Sequence, residues 1–129
     1  MRNIIINSLL FCFITLSNVS GDVIINEFAA SNYASLRIND SYPDWIELYN
    51  TADTTVDIRG YFLTDDSDDP FKWIFPTCSI EPYDFLIVIA YGEDTFFGDT
   101  LCTNFKLSRD GEFLGLYDRW GFPSDTITF

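Results

Sequence analysis

Past residue 22 the chain alternates short apolar runs with turn-forming residues, roughly every eight to twelve positions. No window sustains a 3.6-residue period, so the pattern predicts an all-β domain. The runs predicted as strands are Val23 to Ala29, Trp45 to Asn50, Thr55 to Ile58, Tyr61 to Thr64, Lys72 to Phe75, Asp84 to Tyr91, Phe105 to Leu107, Glu112 to Tyr117 and Thr126 to Phe129. Turn residues separate them at Asn50-Thr51-Ala52-Asp53, Arg59-Gly60, Asp69-Pro70, Glu81-Pro82, Gly92, Asp110-Gly111 and Trp120-Gly121. Asp110-Gly111 is the sharpest of these, because a two-residue hairpin needs positive φ, which Asp tolerates and Gly adopts freely. It predicts a hairpin between Phe105–Leu107 and Glu112–Tyr117.

Side chains alternate across a strand, so parity assigns the faces. In "DWIELYN", residues 44 to 50, Ile46 and Leu48 share one face, and Trp45, Glu47 and Tyr49 share the other. With the first pair in the core, the Glu47 carboxylate stays in water and avoids the cost of unpaired burial. In the last run Ile127 and Phe129 are expected inward, with Thr126 and Thr128 outward. "FLIVIAY", residues 85 to 91, is apolar without alternation, which predicts a central strand covered on both faces. "VIINEFAA" leaves its inner face open, since Ile24 and Phe28 compete there with Val23 and Ile25. Two packed sheets are the simplest way to bury one face of so many short strands. Aromatic residues make up 18% of the chain, enough large side chains for a small sandwich core. Outer-membrane barrel strands need about nine to eleven residues each, and most of these runs are shorter.

The first 21 residues read differently. Arg2 supplies a positive end, Leu9 to Leu16 a short apolar core, and Val19-Ser20-Gly21 small residues for cleavage. This is the layout of a secretory signal peptide, too short and too broken by Asn7, Ser8 and Thr15 to span a bilayer. The alternative is an apolar first strand. The leader reading divides the chain into 1–21, removed on export, and one domain over 22–129, placed outside the cell, on its surface or in the periplasm. After removal no transmembrane segment is expected.

Over residues 22–129 there are 6 bases against 20 acids, a net charge of −14. Nucleic acid and anionic membrane are therefore poor partners, because phosphate binding relies on Lys and Arg to displace counterions. Cys12 falls in the leader, outside the small-residue setting of a lipoprotein cleavage site, which leaves Cys78 and Cys102. In an oxidising compartment they are candidates for a disulfide closing a 24-residue loop, stabilising by about 3 kcal/mol in the chain-entropy model. The alternative is two separate thiols packed as small apolar groups.

Histidine is absent, so no Ser-His-Asp or Cys-His nucleophile can be assembled, and two cysteines supply at most half a structural zinc site. No Gly-rich phosphate loop opens a helix. Paired carboxylates remain, with Glu27 and Glu47 conceivable partners for glycoside hydrolysis. Trp45, Glu47 and Tyr49 form a candidate sugar-stacking face, against the alternative of a solvated sheet face. In "TDDSDDP" the acids Asp65, Asp66, Asp68 and Asp69 put hard oxygen ligands within five residues, the donor type calcium selects. Their spacing is not that of an EF-hand, and Asp, Ser and Pro also build turns through their own backbone. Phe71, Trp73 and Phe75 read as packing. Phe96-Phe97 reads as a loop folding its own aromatics inward, with a partner surface as the alternative. No cofactor is expected, calcium being the one candidate.

The ordered set "VIINEFAASN", "YPDWIELYN", "VDIRGYFLTDDSDDPFKWIFP", "FLIVIAYG", "NFKLSRDGEFLGLYD" and "DTITF" resembles the lamin tail domain family in its secreted bacterial form. The resemblance runs from about Val23 to Phe129 and implies an immunoglobulin-like β-sandwich. It further implies a non-catalytic accessory module for protein or cell-surface interaction, carried beside other domains of a longer exported chain. Similar bacterial domains sit beside hydrolases, nucleases, spore-coat-like kinase domains or surface-sorting signals. Related domains of animal lamins bind proteins and DNA, and the acidity here argues against the latter. Relatives often carry His before "NFKLS", where this chain has Cys102-Thr103. The family commonly continues past the last strand, which leads us to expect a longer open reading frame here.

Overall fold

The computed structural model describes residues 22–129; the expected leader over 1–21 lies outside them. Among the described residues eleven strands form and no helix. They are β1 (Val23–Ala29), β2 (Asp44–Asn50), β3 (Val56–Asp57), β4 (Phe62–Thr64), β5 (Trp73–Ile74), β6 (Ser79–Ile80), β7 (Phe85–Ala90), β8 (Thr95–Phe97), β9 (Thr100–Cys102), β10 (Phe113–Tyr117) and β11 (Pro123–Thr128). One sheet runs β1-β2-β7-β9-β8 and a second runs β11-β10-β4-β5, with β3 and β6 as a separate ribbon. Pairing is antiparallel except where β7 meets β9. The main core lies between the sheets, where Ile25, Ile46, Leu48 and Val88 meet Leu63, Trp73, Leu114 and Leu116. The molecule is thus the expected two-layer sandwich.

The open question in β1 has a local answer. Ile25 is the register partner of Leu48, but the next pair is Glu27 with Glu47, so Asn26 is an extra residue in the strand. Such a bulge inverts parity. Val23 and Ile25 before it, and Phe28 after it, all reach the core, where each is at most 4% exposed. A second irregularity lies opposite Leu116 and Tyr117, whose partners are Asp125 and Pro123. The extra residue, Ser124, is buried and donates its hydroxyl to the Val23 carbonyl at 2.8 Å. Beside it the Asp125 carboxylate accepts the Ile25 N–H at 2.8 Å. The edge of one sheet is thereby stapled to the edge of the other, and Phe28 and Phe129 close the seam with ring centroids 4.4 Å apart.

β7 is central as expected, third of five. Val88 and Ala90 face the main core, and Ile89 lies in a second apolar cluster. Phe85 at the other end is half exposed, because the outer face is covered only toward Ala90. Ile127 packs on the core at its margin.

Other expectations are corrected. Phe105 and Leu107 are buried and Lys106 is exposed, so the alternation is real, but no neighbouring strand pairs with them. The Asp110-Gly111 hairpin therefore does not form. Gly111 has φ 95° and closes a turn from Ser108 instead, with its N–H donated to the Ser108 carbonyl at 3.3 Å. A side chain there would collide with the Phe129 carbonyl. Phe96-Phe97 is strand rather than loop: Gly98-Asp99 turns β8 back onto β9, which points Phe97 into the second cluster and Phe96 outward. β6 was not anticipated either, being two residues whose pairing depends on β3.

Candidate functional site

On the outer face of the five-stranded sheet, register sets three rows: Ile24, Tyr49 and Phe85; Glu27, Glu47 and Ile87; Ala29, Trp45 and Ile89. The third row is covered. Asn32 organises the loop above it, accepting the Ser35 N–H at 3.0 Å and donating to the carbonyls of Leu36 and Pro43 at 2.6 and 2.9 Å. That loop lays Leu36 and Ile38 against Trp45, Ile89 and Cys102. Trp45 is 6% exposed, and its indole N–H donates to Ser35 Oγ at 3.1 Å. The expected face is thus divided: the indole is packing, while Glu47 and Tyr49 keep solvent access. Glu47 accepts the Asn26 amide at 2.8 Å, so the bulge sets a donor beside two carboxylates that register places opposite each other, a pairing otherwise unfavourable. Tyr49 stacks on Phe85 at 4.7 Å and 27°.

The acidic loop folds around Thr64, whose buried hydroxyl lies 2.6 Å from the Asp69 carbonyl and accepts the Asp66 N–H at 3.0 Å. Asp66 accepts the Asp68 N–H at 2.9 Å, and Asp65 accepts Lys72 Nζ at 2.6 Å. That hydrogen bond, against partial desolvation, holds the Lys72 pKa above its ordinary value. Asp68 and Asp69 are exposed. As folded, Asp65 is committed to Lys72 and Asp66 to its own turn. Among the described residues no three Cys, Asp or Glu side chains gather as a metal site would require.

Sequence left a bridge or two separate thiols open for Cys78 and Cys102. Both thiols are free: Cys78 packs at the margin of the main core and Cys102 in the second cluster beside Trp45. Burial pushes both upward from the ordinary cysteine pKa, which keeps them protonated. A cleft of about 270 Å³ near the covered row offers one carboxylate, Asp44, which already accepts the Asn32 N–H at 3.0 Å.

The feature that sequence reading missed lies on the outer face of the four-stranded sheet. Phe62 is the register partner of both Ile74 and Tyr117. Phe71, read from sequence as packing, stands edge-on to Phe62 at 4.8 Å and is 55% exposed. It precedes β5 in a turn, so strand parity does not reach it. Its ring lies over Gly121, where a methyl group would come within 3.0 Å. Asp118 fixes the adjacent turn by accepting the N–H groups of Trp120 and Phe122, each at 2.9 Å. Trp120 and Phe122 project from it at 74% and 67% exposure, and Ile74 is 54% exposed. Arg119 donates to the Asp57 carbonyl at 2.8 Å with its guanidinium 5.5 Å from the Trp120 ring centre. The readable signal was "DRWGF", in which an Asp caps a turn that carries two aromatics.

A comparison with curated protein sequences finds no match. The family model described as Lamin Tail Domain matches residues 17–129, which takes in both sheets and every surface above. With an immunoglobulin-like sandwich carrying that match along nearly its whole length, the chain belongs to the lamin tail domain family.

Proposed function

We propose that this domain is an exported, non-catalytic module that docks a protein or cell-surface partner as an accessory part of a larger secreted chain. Family membership supports an interaction module rather than a catalyst, and the layout of residues 1–21 supports export. The observation that carries the reading is the outer face of the four-stranded sheet. Phe71 and Ile74 are more than half exposed there, as are Trp120 and Phe122 in the turn whose Gly121 the Phe71 ring touches, and apolar groups gathered at one surface mark interaction sites. Cross-linking the purified domain to intact cells of its source, followed by mass spectrometry, is expected to yield a discrete protein adduct. Glycan hydrolysis by the domain, lost in Glu47→Gln, would overturn the reading.

A second reading, a sugar- or calcium-binding module, is favoured by one feature: the stacked Tyr49–Phe85 pair stands open beside Glu47 and Glu27. A glycan array decides the sugar case, with Phe85→Ala removing any signal that arises there. The calcium case turns on a thermal melt with and without the ion.

A further inference from the structure

We infer that the outer face of the four-stranded sheet receives an Arg- or Lys-rich extended segment of a partner protein, which seats cationic side chains on its aromatic rings. The inference rests on the interaction-module reading above and names its surface and ligand chemistry.

Ile74, Phe62 and Tyr117 are ladder neighbours, Phe71 packs on Phe62, and the Phe71 ring lies against Gly121 in the Asp118 turn that carries Trp120 and Phe122. Its rim is acidic. The loop carrying Asp66, Asp68 and Asp69 leaves the sheet two residues after Phe62 and returns at Phe71. Lys72, the base nearest that loop in sequence, is paired with Asp65. On the other side Asp118 borders Trp120. Exposed rings ringed by carboxylates attract cations twice, through the ring quadrupole and through charge. The molecule already makes such a contact, with the Arg119 guanidinium set against Trp120.

Charge also selects among occupants. A second copy brings another net −14 to the same face, and an anionic membrane is repelled by it. A basic segment gains from the long-range field on approach and from desolvated ring contacts once bound.

Trp120 supplies the readout, since Trp45 and Trp73 are 6% and 2% exposed. The full chain is titrated with a ten-residue peptide alternating Arg and Gly, and with matched Glu/Gly and Ser/Gly peptides. Expected are a saturable change in Trp emission with the Arg peptide alone and an affinity that falls as salt rises. An Ile74→Ser, Phe122→Ser double variant that melts like wild type should bind about tenfold more weakly or worse. Equal affinity of that variant by calorimetry, or binding without a change in Trp emission, means diffuse attraction and overturns the inference. Sedimentation showing a dimer that the double variant abolishes also overturns it, by assigning the face to a second copy. A cell-surface adduct that protects another face from hydrogen exchange sinks this inference and leaves the interaction-module reading standing. No adduct and no peptide binding sinks both.

Discussion

Asn50 has no solvent exposure, and its amide nitrogen lies 2.8 to 3.0 Å from the carbonyls of Thr54, Ile80 and Glu81 while its Oδ1 accepts the Ala52 N–H at 2.9 Å. One side chain ties the end of β2 to the following turn and to β6. Asn50→Ala strips these groups of their partner where water does not reach, and should cost about 2–4 kcal/mol by urea denaturation. Glu112 carries a different burden. Burial pushes its carboxyl above the ordinary glutamate value of 4.5, against the Ser108 N–H it accepts at 2.6 Å. Because the folded pKa is raised, its favourable contribution is present below the unfolded value and lost as pH rises through the folded one. Glu112→Gln keeps an acceptor and removes the ionisation. The fall in Tm between pH 4 and 7 should therefore be smaller in the variant than in wild type.

For strands, parity was legible wherever the chain stayed regular. It placed Ile46 and Leu48 in the core and Glu47 outside it, while the lack of alternation in "FLIVIAY" marked β7 as central. It failed where an irregularity resets it. Asn26 shows why: nothing in "VIINEFAA" says which residue is the extra one, since a bulge is selected by what the partner strand presents. Deleting Asn26 should remove the bulge and leave a regular ladder in which Ile25, Glu27 and Phe28 keep Leu48, Glu47 and Ile46 as partners, so Phe28 stays in the core. A native-like near-ultraviolet circular dichroism spectrum would report it, and loss of that signal with rapid proteolysis would refute the parity argument. Phe105–Leu107 teaches the reverse lesson. Its alternation comes from packing against the core, and packing does not require a ladder.

At the scale of the molecule, charge and thiols set the response to solution conditions. A net charge of −14 over residues 22–129 makes the folded state repel itself, so Tm should rise by a few degrees as salt screens it. Millimolar calcium should give the same Tm as sodium chloride at matched ionic strength, given how Asp65 and Asp66 are committed. A larger rise with calcium would support the acidic loop as a cation site. With both thiols free, dithiothreitol should leave Tm unchanged. A thiol reagent should label half-buried Cys78 faster than Cys102 in the native state.

Sequence by itself determined the all-β class, the count of layers, the polar exit of Glu47 and the acidity that selects partners, because these follow from alternation and composition, which are local or summed quantities. Tertiary structure alone decided which residue bulges, which short runs find a partner, that the thiols sit apart, and that Trp45 is roofed over while Phe71, Trp120 and Phe122 are not. Each of those depends on what a distant segment brings alongside, and a one-dimensional pattern carries no record of its neighbours in space.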